Sequence, residues 1–189
     1  MTGLTKTYSL PWYDINAVAL DPGHSEVAVG SYRGLGVLSL EDGGFRQLET
    51  GQVTGLAWGE KGIIVSGRGR TQRMSPTGEV EASCPGEGSL GLLSSSGLVV
   101  RVAEGEKAQL LDGVTLETVR TLDIEAKAVV TGNGRALLAL PDGVLVIDEQ
   151  GEIRHRIDLE FSLAHLALDP GAERFLAASF DRTVIGTFG

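Results

Sequence analysis

The sequence predicts an all-β chain: one single, closed five-bladed β-propeller with four antiparallel strands per blade. Three observations predict it. A repeat of about 37 residues runs the length of the 189-residue chain. Its 27 glycines are scattered throughout, as many tight turns between short strands require. No segment of about 12 residues keeps an i, i+3, i+4, i+7 apolar stripe free of Gly or Pro.

The repeat is clearest in two copies far apart. Ala17-Val18-Ala19-Leu20-Asp21-Pro22-Gly23 is followed by Glu26-Val27-Ala28-Val29-Gly30-Ser31, and His165-Leu166-Ala167-Leu168-Asp169-Pro170-Gly171 by Arg174-Phe175-Leu176-Ala177-Ala178-Ser179. Four periods separate Asp21 from Asp169. Three more degenerate copies lie between them. Val53–Trp58 leads to Gly62–Gly67, Leu90–Leu93 to Gly97–Val102, and Lys127–Val130 to Ala136–Leu140. Each copy is an apolar run of strand length, a Gly-rich turn and a second such run. A third strand and a more polar fourth follow, separated by turn formers such as Glu41-Asp42-Gly43-Gly44 and Ser75-Pro76-Thr77-Gly78.

The repeats fall near residues 12–49, 50–86, 87–123, 124–160 and 161–189 of one domain. The first two strands of each are the most apolar, which predicts inner strands covered on both faces by neighbouring blades. The fourth strands mix apolar and charged residues and belong at a wetter rim. The fifth copy stops at its third strand, while the strand-like residues 4–10 precede the first copy. Pairing them at the rim of blade five would complete that blade and remove an exposed edge.

Composition narrows the class. Hydrophobic residues at 42% and charged residues at 22% are ordinary for a globular chain. The N-terminus has no continuous apolar run of the signal-peptide kind, and no stretch approaches 18 apolar residues, so no membrane partner is expected. Cys84 is the only cysteine, as suits a reducing cytoplasm, and beside Pro85 it reads as a strand-end residue. The net charge of −9 disfavours nucleic acid, which needs clustered Lys and Arg.

Ser179-Phe180-Asp181-Arg182-Thr183-Val184 resembles the Ser-x-Asp-x-Thr-Val stretch before the third strand of a WD-repeat blade, and the periodicity resembles that family along the whole chain. The resemblance implies propeller architecture and a protein-binding scaffold. His24 sits in the loop between first and second strands, so the family's His–Asp network is not carried over.

Candidate chemistry is sparse. Gly86-Glu87-Gly88-Ser89-Leu90-Gly91 spells a dinucleotide-binding pattern, but a strand follows where a helix N-terminus should receive the pyrophosphate. His24, His155 and His165 fall on a turn, a rim strand and an inner strand, with no spacing that gathers metal ligands. His165 replaces Ala17 of the first copy and reads as a core or channel-lining histidine. Asp14, Glu87, Glu125 and Glu160 lie near the starts of inner strands. A glycosidase of the five-bladed type would need two such carboxylates converging in the central funnel. No nucleophile has an adjacent base. The expectation is therefore no catalytic residue, cofactor or metal.

The loops are more informative. In a propeller, the loops that lead into each first strand share a face with the turns between second and third strands. That face gathers Trp12, Tyr13, Tyr32, Arg33, Arg68, Arg70, Phe180 and Arg182, with Phe161 nearby. These residue types dominate interface hot spots. Glu87, Glu104, Glu106, Glu125 and Asp142 make an acidic half beside them. The opposite face is built of small turn formers. The reading is a non-catalytic module that binds another protein, as a piece of a larger assembly. A propeller holding a small ligand or glycan in its funnel is the alternative, and a hydrolase is third.

Overall fold

The computed structural model describes residues 7–48, 51–93, 97–169, 173–179 and 181–187. It is all-β, with five blades arranged as a propeller, and no helix among the described residues is long and apolar enough to cross a membrane. Blade one holds β1 (Ile15–Leu20), β2 (Glu26–Ser31), β3 (Gly34–Ser39) and β4 (Phe45–Leu48). Blade two holds β5 (Gly55–Gly59), β6 (Gly62–Gly67), β7 (Arg70–Met74) and β8 (Val80–Pro85). Blade three runs β9 (Ser89–Leu93), β10 (Leu98–Val102), β11 (Lys107–Asp112) and β12 (Thr118–Glu125). Blade four runs β13 (Ala128–Gly132), β14 (Arg135–Leu140), β15 (Gly143–Ile147) and β16 (Ile153–Asp158). Blade five shows β17 (His165–Leu168), β18 (Arg174–Ala178) and β19 (Thr183–Thr187). Consecutive strands pair antiparallel in every blade.

Alternation along the strands sends successive side chains to opposite sheet faces, one toward the preceding blade and one toward the next. Four apolar clusters result, one at each junction from one/two to four/five. Ala28, Leu35 and Val37 of blade one pack on Leu56, Ile63 and Val65 of blade two. Ala57 and Ile64 meet Leu90 and Val99. Leu93 and Val100 meet Val129 and Leu138. Leu137 and Val144 meet Phe175 and Ala177. None of these clusters joins blade five to blade one.

Burial departs from the expected gradient. In blades one and four the second and third strands are the most buried, with β15 buried throughout, whereas in blade two the first and second strands are the most buried, as expected. The first strands instead border a central cavity of about 690 Å³, to which Val18, Leu56, Leu90, Val129 and Leu166 each contribute from a different blade. The outer strands form the exposed rim, as their mixed sequences predict.

The expected pairing of residues 4–10 on blade five is not seen. Residues 4–6 lie outside the described residues, and residues 7–10 carry no strand. The Tyr8 hydroxyl donates to the Leu40 carbonyl, which places it on blade one. Trp12 continues along the same face of blade one and meets the Phe45 ring edge-on at 5.1 Å. Gly36 makes room for this, since a Cβ there would sit 3.0 Å from the Trp12 ring and closer still to Phe45. His165 is neither core nor channel-lining. It is exposed on β17, on the face that lacks a neighbouring blade.

Candidate binding face

The turns between second and third strands form the candidate face, and serines at the ends of second strands shape it. Buried Ser31 accepts the Arg33 N–H on its hydroxyl at 2.9 Å, fixing the β2–β3 turn that carries Tyr32 and Arg33. Ser179 does the same for the Arg182 N–H at 3.1 Å. Ser66 instead reaches the next blade and accepts the Gly88 N–H at 2.8 Å. These serines recur at one place in the repeat, a signal that would have identified them as turn supports.

The strongest local arrangement joins Tyr13 and Arg33. The guanidinium lies 5.2 Å from the Tyr13 ring centroid, and its Nη2 donates to the Tyr13 hydroxyl at 3.0 Å. Tyr13 is nevertheless 86% exposed, so the pair is held in place while presenting an open aromatic surface. Tyr32 is also exposed. On blade two, Arg68 adopts a left-handed φ of 53° and its guanidinium packs over Gly51. Arg70 begins β7 and is exposed. Thus Tyr13, Tyr32, Arg33, Arg68 and Arg70 sit on adjoining blades and offer polar and aromatic atoms to solvent.

The other expected members are placed differently. Trp12 is only 7% exposed and packs on Phe45, so it anchors the approach to β1 beneath the face. Arg182 lines a separate groove of about 460 Å³ with Asp158, Glu160 and Phe161, between blades four and five. Phe180 lies outside the described residues. Of the acidic half, Glu87 accepts the Gly69 N–H at 2.6 Å and Asp142 pairs with Arg156 at 2.9 Å.

One contributor had no sequence signal that sets it apart. Arg101, on β10, is buried between blades two and three directly below the face. Its Nη1 donates to the Pro85 carbonyl at 2.6 Å, the Gly86 carbonyl at 3.0 Å and the Thr71 hydroxyl at 3.1 Å. Its Nη2 donates to the Gln109 side chain, and the Cys84 sulfur lies 3.5 Å from Nη1. Neutral acceptors thus hold a buried cation, which ties the β8–β9 connection to the core. In sequence it is one arginine in an apolar strand.

The central cavity has different chemistry. Its lining side chains are mostly apolar, with His24, Thr131 and the Trp58 indole carrying side-chain polar groups, and Asp14, Glu87, Glu125 and Glu160 are not among the lining residues. No family model matches the chain, and no curated protein matches it.

Proposed function

We propose that the chain is a non-catalytic interaction module whose β2–β3 and β6–β7 turns bind another protein. The observation that carries this is the Tyr13–Arg33 pair, fixed by a hydrogen bond and ring stacking yet almost wholly open to solvent. Stiff aromatics and arginines that are already ordered lose little rotamer freedom on binding, so contact energy is retained as affinity. Exposed Tyr32, Arg68 and Arg70 widen the surface across blade two. A cytoplasmic setting suits the single cysteine, Cys84.

The test is retention of proteins from native extract on immobilised chain, read by quantitative mass spectrometry. Tyr32→Ala and Arg33→Ala should each release the retained partner, weakening it by roughly 10- to 100-fold, the scale of a hot-spot loss of about 1–3 kcal/mol. Lys61→Ala, in the β5–β6 turn of the opposite face, should leave retention unchanged. The reverse pattern would assign binding to that opposite face.

A further inference from the structure

The two end blades leave apolar residues open on their outward faces: on blade one the first strand, beside the part that Trp12 and Phe45 cover, and on blade five all three described strands. By the repeat, Ala167, Leu176 and Ile185 of blade five correspond to Ala19, Ala28 and Val37 of blade one, which seat blade two. Val18 and Leu20 of blade one correspond to Leu56 and Trp58 of blade two, which seat blade one. Burial separates these equivalents. Val18 is 63% exposed where Leu56 is 6%, and Ile185 is 71% exposed. Leu20 and Leu176 are open as well. An alternating apolar sheet face of this size is costly to leave in water.

The interior junctions say what fits. Each takes a next-facing sheet on one side and a previous-facing sheet on the other, and the open faces are one of each kind. A polar contact adds to the match. Across junction two/three, the β6–β7 turn donates the Gly69 N–H to Glu87, the acid just ahead of β9. The acid just ahead of β1 is Asp14, whose Oδ1 is buried without a hydrogen-bond partner among the described residues. The corresponding turn of blade five carries Arg182, exposed.

We propose that these faces take a second copy of the chain, blade five of one molecule seating on blade one of the next. The contact is heterologous: the two surfaces differ, and each copy carries both. Arg182 of one copy then approaches the loop that carries Asp14 in another. This association is independent of the Tyr13–Arg33 face and goes beyond the binding reading.

Sedimentation of the full chain tests it, because a heterologous contact has a signature that a self-matching one lacks. The weight-average mass should rise with concentration and pass that of a dimer, since each added copy leaves an open face. Val18→Asp and Ile185→Asp should each stay monomeric, with melting temperatures unchanged from that of the monomer. Mixed in equal amounts, they should form a dimer and stop there, because one retains an intact blade five face and the other an intact blade one face. A wild type that remains monomeric up to about 100 μM, well above common working concentrations, overturns the proposal. So does association that survives in both single variants, or a mixture that stays monomeric. A monomer whose melting temperature falls with Ile185→Asp would show the two faces sealing within one chain, which also overturns it.

Discussion

Junction one/two and the seam between blades five and one are built from the same repeat and end in opposite states. Val37, in the third strand of blade one, is 0% exposed; Ile185, its equivalent in blade five, is 71% exposed. Both are β-branched, both sit in a third strand, and both face away from the preceding blade. The difference is the neighbour. Blade one has Leu56, Ile63 and Val65 against it, whereas among the described residues no apolar cluster covers the corresponding face of blade five. Burial in a repeat fold is thus a property of the junction rather than of the residue.

The sharpest way to break this comparison is to place a charge at both positions. Val37→Asp would bury a carboxylate with no cation or donor provided for it, at a cost of several kcal/mol against a total stability of about 5–15 kcal/mol. It should yield insoluble or unfolded protein. Ile185→Asp should change stability by no more than about 0.5 kcal/mol, because its side chain already meets water. Urea unfolding of the two variants at low concentration decides the matter. Equal losses would mean that the seam is as sealed as the interior.

Within blade one itself, Trp12 and Tyr13 offer a smaller version of the same contrast. Adjacent in sequence, they point to opposite fates: Trp12 onto Phe45 and Gly36, Tyr13 out beneath Arg33. Trp12→Ala should cost about 3 kcal/mol by opening a cavity over β3. Tyr13→Ala should cost under about 1 kcal/mol, the worth of an exposed cation–π contact. Comparing their unfolding midpoints measures how far the N-terminal approach stabilises the face of blade one that lacks a blade.

Much of the fold was legible because the repeat carries it. The Asp-Pro-Gly turns mark the first and last copies, the paired apolar runs and charged outer strands mark the blades between them, and the period fixes their number. Junction chemistry was less legible. Arg101 looks like any strand arginine until Thr71, Pro85 and Gly86 are brought around it by a neighbouring blade. His165 reads as an inner-strand residue, and so it is, but exposure there depends on whether a neighbouring sheet face covers it. The loop position of Trp12 predicts the surface, whereas loop residues at the start of a first strand can fold back onto the sheet. Strand counting alone puts Tyr13, Tyr32 and Arg33 on one face, yet the stacking of Arg33 on Tyr13 follows from the β2–β3 turn geometry.

The smallest effect concerns pH and the outer edge of junction two/three. The Asp112 carboxylate is held below the usual carboxylate range, first by the Thr115 N–H and then by the Val114 N–H, with burial opposing and the Thr115 hydroxyl and the Arg73 cation assisting. Its Oδ1 accepts those two N–H groups at 2.7 and 2.8 Å. Arg73 also spans the junction, donating from Nε to the Val114 carbonyl at 2.8 Å. The turn so fixed holds Leu116 in a left-handed φ of 61° with its side chain buried among Ala57, Leu90 and Leu111. A group whose folded pKa lies below its unfolded value of about 3.9 contributes stability that is present above that value and lost as pH falls through the folded pKa. Wild-type stability should therefore decline below about pH 4, with Asp112 supplying part of the slope. Asp112→Asn keeps an acceptor for the turn but cannot titrate, so at neutral pH it should cost at most about 1 kcal/mol. Below about pH 4 its melting temperature should fall less steeply than that of the wild type. Parallel slopes for the two proteins from pH 6 to pH 3 would remove Asp112 from the acid response.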